Sequence, residues 1–291
     1  MFPWYVFAII SAFLAAGSLI FRKEGLFKVH AMEFATTRTF VCAVCSLILL
    51  PFVITQFSLI EIGLIYVVSL LSTAGITFMS KSLKHMEIST AVPLLNLMPA
   101  FLVIWSFIFL SESLSLYHLI GIALLIFGTY VLEIDDKFHN FLKPFREMKN
   151  SKYFHYVLFA VIFFSFSALL DKVLLNKYTT PMRFLALVWI FIAINFLIMH
   201  FFKYDGWKGV VHTFKKTKLL VVFAGVFAFF STFFYYQAAA VAFIALVIPI
   251  KRMSTLITTI VGGELLHDHH LVHRIIACVI MVGGAILIIL A

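Results

Sequence analysis

The chain has 291 residues, 63% of them hydrophobic and 12% charged, with a mean hydropathy of +1.09. A soluble globule needs a polar skin that this composition does not supply, so lipid is the solvent for most of the chain. The formal net charge of +9 is spread over the connections between apolar runs, a distribution that argues against a nucleic-acid partner.

Crossing a hydrocarbon core takes about 20 apolar residues of helix. Ten stretches qualify: 3–21, 33–54, 60–80, 88–110, 114–133, 154–175, 183–202, 218–239, 242–265 and 271–290. The first has no basic residues before its apolar run and no small-residue cleavage site, so it reads as a retained helix. The second carries Glu33 and Arg38, five apart and so not an intrahelical pair. Arg38 is shallow enough to snorkel and reads as structural. Cys42 and Cys45 share its face, and with Cys278 they read as small buried residues, since three scattered thiols suit neither a disulfide framework nor a metal.

The third span has a polar stripe of Thr73, Thr77 and Ser80, with Ser72 beside it. The fourth contains "AVPLLNLMPAF", in which Pro93 and Pro99 bracket Asn96, and Ser106 follows. Asn96 reads either as helix–helix glue or as a cavity-lining amide. In the fifth, Gly121 and Gly128 lie about two turns apart and predict close helix packing. The connection 134–153 is charged and is the only linker-like stretch.

The sixth span ends near Asp171 and Lys172. Trp105 in the fourth and Trp189 in the seventh read as packing. The eighth contains "FFSTFFYYQAAA": Ser231 and Gln237 are candidates for lining a cavity with Tyr236, while one of Tyr235 and Tyr236 is expected to anchor at the interface. The ninth puts Lys251 and Arg252 side by side mid-run, just after Pro249. A charge at the bilayer centre costs roughly 2.5–3.5 kcal/mol and is kept only where it faces protein or water. Lys251, Thr255, Thr258 and Gly262 share one helix face, and Arg252, Thr255, Thr259 and Gly263 the next. The pair predicts anion recognition, with Arg252 as a bidentate clamp and Lys251 as a point charge. The competing reading is a structural ion pair with Asp171 or Glu33. "ELLHDHHLVH" (264–273) has metal-ligand residue types but no closed four-ligand spacing, so it reads as a solvated loop rather than a metal site. Gly283 and Gly284 predict close packing in the tenth span.

Of the 22 Lys and Arg, sixteen fall in alternate, odd-numbered connections, and only Lys177 and Arg183 in even ones. This asymmetry places the odd connections in the cytoplasm and both termini outside. The chain also repeats itself. "SLIFRK" (18–23) matches "SALLDK" (167–172), pairing Ser18 with Ser167 and Lys23 with Lys172. Glu112 matches Glu264 after the fourth helix of each set, and Gly121 and Gly128 match Ala277 and Gly284 in the fifth. The expected organisation is a five-helix repeat over 1–135, a charged linker over 136–152 and a second repeat over 153–291. An odd number of helices per repeat inverts the second copy, an architecture of secondary transporters.

These features, from "TTRTF" around Arg38 to "SESLSLYHLIGIALLIFG" and "PIKRMSTLITTIVGGELL", resemble the EamA-type branch of the drug/metabolite transporter superfamily. The resemblance implies ten transmembrane helices in two inverted five-helix repeats. It also implies export or exchange of small metabolites through a cavity lined by the third, fourth, eighth and ninth helices. Family members are thought to keep both termini in the cytoplasm, whereas the charges here place them outside.

The reading is therefore an all-α, multi-pass protein of the cell membrane, a monomer or homodimer, transporting small anionic or zwitterionic metabolites by alternating access. Its expected site is Lys251, Arg252, Thr255, Thr258, Asn96, Thr73, Thr77, Gln237 and Tyr236. No G-x-x-x-x-G-K-[ST] loop is present, so a proton or sodium gradient, or an exchanged solute, would drive it, with no cofactor and no bound metal. The alternative is a carrier or flippase for a nucleotide-linked sugar or lipid-linked phosphate. An intramembrane enzyme is the weakest reading, because no nucleophile–base set converges.

Overall fold

The structure, a computed structural model, describes residues 2–53, 57–85, 97–133, 152–203, 207–258 and 271–291. Its regular structure is helical: α1 Trp4–Leu26, α2 Ala31–Val53, α3 Leu59–His85, α4 Met98–Leu110, α5 Leu116–Glu133, α6 Lys152–Lys177, α7 Pro181–Lys203, α8 Trp207–Thr217, α9 Leu219–Val241, α10 Ile244–Arg252 and α11 Leu271–Leu290. Among the described residues, α1, α2, α3, α6, α7 and α9 are long and apolar enough to cross a membrane. Three shorter apolar helices, Met98–Leu110, Leu116–Val131 and Ile276–Leu290, accompany them. Ten uninterrupted spans are thus not what the described residues display, although their regular structure is all helical and several helices are long and apolar enough to cross a membrane.

Two differences from the expected elements have physical causes. The ninth expected span is broken: α10 has nine residues, a turn sits at Met253, and helix resumes over 254–258. At the break the Met253 N–H reaches back to Ile250 O, a tighter bond than the α-helical one; Pro249, four residues upstream, leaves Ala245 O without its α-helical donor. The connection 203–218, read as a loop, contains the eleven-residue helix α8.

The chain forms two compact units, and each draws on both halves of the sequence: 1–73 with 170–242, and 74–169 with 243–291. In the first unit α1 lies along α9, and α2 packs on α7 and α9. Hydroxyls aimed at carbonyls stitch these helices. Ser11 and Ser231 each donate to the other's carbonyl at 2.8 Å, Ser18 donates to Ala224 O at 2.7 Å, and Ser46 to Leu185 O at 3.1 Å. The Cys42 thiol reaches Gly225 O at 3.3 Å, a packing role consistent with a small buried residue. Among the described residues all three cysteines are free. Such polar cross-links hold helices together where lipid removes the hydrophobic drive to associate.

In the second unit α5 packs on α11 and α10 on α4. A Cβ on Gly121 would lie 2.8 Å from Gly284 O, and one on Gly284 would lie 2.7 Å from Gly121 O. Gly128 meets Met281 in the same way, so these three glycines do permit backbone approach. Gly283 does not: a Cβ there meets nothing within 4 Å. It points away from the α5 contact, since adjacent helical residues are turned about 100° from one another. In the same unit α3 meets α6 through Phe78 stacked on Phe163 at 5.6 Å, and through Gly75 against Phe164. The abundant phenylalanines divide between lipid-facing positions such as Phe13, Phe52 and Phe107 and the fully buried Phe34, Phe184 and Phe196.

Candidate functional site

Arg252 ends α10, so the basic pair lies in the last turn of a short helix rather than within a continuous span. There both cations complement the negative end of their own helix. The half-buried Arg252 guanidinium also reaches α4. Its Nη2 donates to Met98 Sδ at 3.0 Å, and Met98 is the first residue of α4. A thioether is a weak acceptor for a group with five strong donors. Among the described residues Arg252 makes no ion pair. The N-terminus of α4 is itself a positive end. Two positive sources therefore meet with a neutral sulfur between them. Lys251 is half-buried beside Arg252.

Thr255 and Thr258 follow the turn at Met253. Thr255 Oγ1 donates to Arg252 O at 2.9 Å, and Thr258 Oγ1 to Ser254 O at 2.7 Å. Both hydroxyls thus donate back to backbone carbonyls of their own segment. Asn96, Pro93, Thr259, Gly262, Gly263 and the 264–270 part of the histidine-rich segment lie outside the described residues.

The other expected site residues fall in different surroundings. Thr73 is buried in a polar joint: its hydroxyl donates to Ser69 O at 2.7 Å, and Asn195 Nδ2 of α7 donates to Ser69 Oγ at 3.1 Å and approaches Thr73 Oγ1 at 3.5 Å. Asn195 sits in an otherwise apolar run, and a lone amide there was the available signal for this joint. Thr77 is half-buried on α3. Tyr236 is buried, with its ring stacked on Phe184 at 4.5 Å. Tyr235 is buried as well and donates its hydroxyl to Asp171 Oδ2 at 3.1 Å. Neither tyrosine is an interfacial anchor, because Asp171 of α6 gives Tyr235 a partner inside the protein. Gln237 is half-buried on α9. Trp189 packs inside and carries Arg38 over its ring at 5.9 Å, and Trp105 packs on Phe166 at 4.8 Å.

Two charges marked by the repeat turn out to cap helices. Ser111 takes a left-handed conformation, φ 55°, and the N–H groups of Ser111 and Glu112 both return to Ser106 O in a wide closing turn. That turn aims the buried Glu112 carboxylate at α10, where Oε1 accepts from Ile244 N–H at 3.2 Å. A carboxylate at a helix N-terminus complements its positive end. Lys172 is the converse case: its Nζ donates to Ala239 O at 2.7 Å, in the last turn of α9. Arg183, one of the two cations in even connections, pairs with buried Glu61 at 2.9 Å and lies over the Phe57 ring at 4.6 Å. Among the described residues no cluster of three His, Cys, Asp or Glu could hold a metal.

Residues 2–134 match the EamA-like transporter family. A crystal structure of a protein is similar over 99% of this chain and 98% of its own length, with a TM-score of 0.75 and 14% identity, a likeness of fold. Among curated proteins, none matches the chain.

Proposed function

We propose that this chain, whose residues 2–134 match the EamA-like transporter family, is a secondary transporter of small anionic or zwitterionic metabolites across the cell membrane. A substrate carboxylate or phosphate would sit at Arg252, which forks two donors to it, with Lys251 adding a point charge. Thr255 and Thr258, in the helical segment that follows the turn at Met253, would line the same site. The observation that carries the reading is the Arg252 guanidinium at the N-terminus of α4 with only Met98 Sδ as its side-chain partner among the described residues. An anion there would relieve two converging positive fields.

The transport cycle we propose is alternating access between two inverted five-helix repeats, 1–135 and 153–291, joined by the charged linker. Helix pairing supports this. The second helices of the two sets pair, α2 with α7, and so do the fifth, α5 with α11. The first of one set also meets the third of the other: α1 lies along α9, and α3 touches α6 through Phe78 on Phe163 and Gly75 against Phe164. A gradient or an exchanged solute supplies the energy.

The test is thermal stabilisation of purified wild type, Lys251→Gln, Arg252→Gln and Arg252→Lys against amino acids, organic acids, sugar phosphates and nucleotides, followed by uptake into vesicles. A ligand that stabilises wild type but not Arg252→Gln, and only weakly Arg252→Lys, is the expected result. Equal stabilisation of all four proteins would remove the site from the pair.

A further inference from the structure

From Lys203, the last residue of α7, to the start of α9 the chain holds five lysines, Lys203, Lys208, Lys215, Lys216 and Lys218, against one acid, Asp205. Its helix α8 carries no acid at all. Laid out at about 100° per residue, α8 divides into three sectors about 120° apart. Gly209, Val210, Thr213 and Thr217 form the first, and all are buried in the packing of α8 on α2, α7 and α9. Gly209 lets the backbone ride directly on buried His200, since a Cβ there would lie 2.6 Å from its Nε2. The second sector is Trp207, Val211 and Phe214, all apolar and all exposed, with Trp207 48% accessible although its ring edge rests on Phe40 at 5.4 Å. The third is Lys208, His212, Lys215 and Lys216, all exposed.

Position decides what covers the second and third sectors. The helices on either side, α7 and α9, are both long and apolar enough to cross a membrane. α8 therefore joins two span ends and lies at the membrane boundary. Phe201 and Phe202 end α7, and Leu219 begins α9; all three are exposed, so the apolar sector continues the lipid-facing surface of its neighbours. Lys218 holds the junction at φ 45°, a strained conformation for a non-glycine residue that persists only where the surroundings fix it. A helix with one face on protein, one on acyl chains and a cationic one between them has the form of an interfacial helix.

We propose that α8 is a docking site for the headgroups of anionic phospholipids, with Trp207, Val211 and Phe214 seated among the acyl chains and Lys208, Lys215 and Lys216 on the phosphates. The charge asymmetry of the connections puts this face in the cytoplasmic leaflet, where anionic lipid supplies the complementary charge. The proposal does not depend on what the protein transports.

The full-length protein is reconstituted into nanodiscs of phosphatidylcholine alone or with phosphatidylglycerol. Anionic lipid raises the melting temperature of wild type, and salt diminishes the gain. Lys208→Gln/Lys215→Gln/Lys216→Gln loses most of it. Its preference for anionic over zwitterionic lipid falls about a hundredfold, because each lysine near an anionic surface is worth roughly fivefold. Lys23→Gln/Lys28→Gln, drawn from another basic connection, keeps the gain. A second readout retains Trp207 as the sole tryptophan and measures its quenching by lipids brominated on the acyl chain, which the seated sector requires. Equal loss in the two lysine variants, an equal gain from inorganic phosphate in detergent, or an unquenched Trp207 would each overturn the proposal.

Discussion

Glu112→Ala is expected to destabilise the protein by about 2–3 kcal/mol, and the structure sets that figure. Ile244 opens α10 and is fully buried. Its N–H is one of the donors that a helix start leaves without an intrahelical partner, and no water reaches it. Glu112 Oε1 supplies the acceptor. A hydrogen bond to a charged group contributes about 1.5–3 kcal/mol, and a carboxylate in the field of a helix N-terminus adds about 0.3–1 kcal/mol. The 3.2 Å separation is at the long end for N–H···O, which keeps the estimate in the lower half of that sum. Glu112→Gln keeps an acceptor and loses the charge, so its cost is about 1 kcal/mol. Unfolding of wild type and both variants is followed in detergent micelles by heat and by SDS titration. Exposed Glu24, changed to Ala, serves as a control within about 0.5 kcal/mol of wild type. The expected order is wild type, Gln, Ala. If Glu112→Ala unfolds no more readily than Glu112→Gln or Glu24→Ala, the cap contributes nothing and the reasoning fails.

Lys172→Met removes the donor to Ala239 O and is expected to cost about 1.5–3 kcal/mol in the same micelle assay. Gly121→Ala and Gly284→Ala force a methyl against a backbone oxygen and should each lower stability by about 1–3 kcal/mol. Gly283→Ala, with open space around it, should be neutral or gain up to about 1 kcal/mol from helix propensity. Arg183→Gln strands the buried Glu61 carboxylate and should cost about 2 kcal/mol, below the 3–5 kcal/mol of a fully buried pair because the Arg183 side chain is 22% exposed; the Arg183→Gln/Glu61→Gln double variant should recover part of it.

Span positions were legible because a membrane makes one demand, a long apolar run, and composition answers it directly. α11 matches its expected bounds, and α2, α7 and α9 match within two residues. What was lost was everything decided by partners across the fold. Thr73 belongs to a stripe with the period of a lining face, yet the structure joins Thr73 itself to Ser69 and to Asn195 of α7. The Tyr235 hydroxyl suited a membrane interface until Asp171 supplied a partner within the protein. The Gly121 spacing announced close packing, whereas Gly283 and Gly284, adjacent and chemically identical, could not be told apart without knowing which side of α11 faces α5. The break at Met253 had a sequence signal in Pro249, but a proline kinks many helices without ending them. α8 was hidden because the charges that mark a connection are also those of an amphipathic helix.

The charges at helix ends lead back to Arg252. Lys172 meets the negative end of α9, and Glu112 meets the positive end of α10. In both cases the sign is favourable and a hydrogen bond under 3.3 Å is made. Arg252 has the favourable sign for the end of its own helix but the wrong one for the N-terminus of α4, where its guanidinium is directed. The chain settles two helix termini with charges of complementary sign, yet aims a third charge at a terminus of like sign, and that mismatch marks where the proposed anion would sit. The same variants separate a structural origin of that mismatch from a functional one. If Arg252 only braces α4, Arg252→Gln should lower stability without any ligand, and Arg252→Met, which keeps apolar contact with Met98, should recover it. If the mismatch exists for a substrate, Arg252→Gln should be as stable as wild type or more so when empty, because one of two opposed positive fields is gone, and it should lose ligand stabilisation entirely. Loss of stability in the empty Gln variant, restored by Met, would refute the anion site.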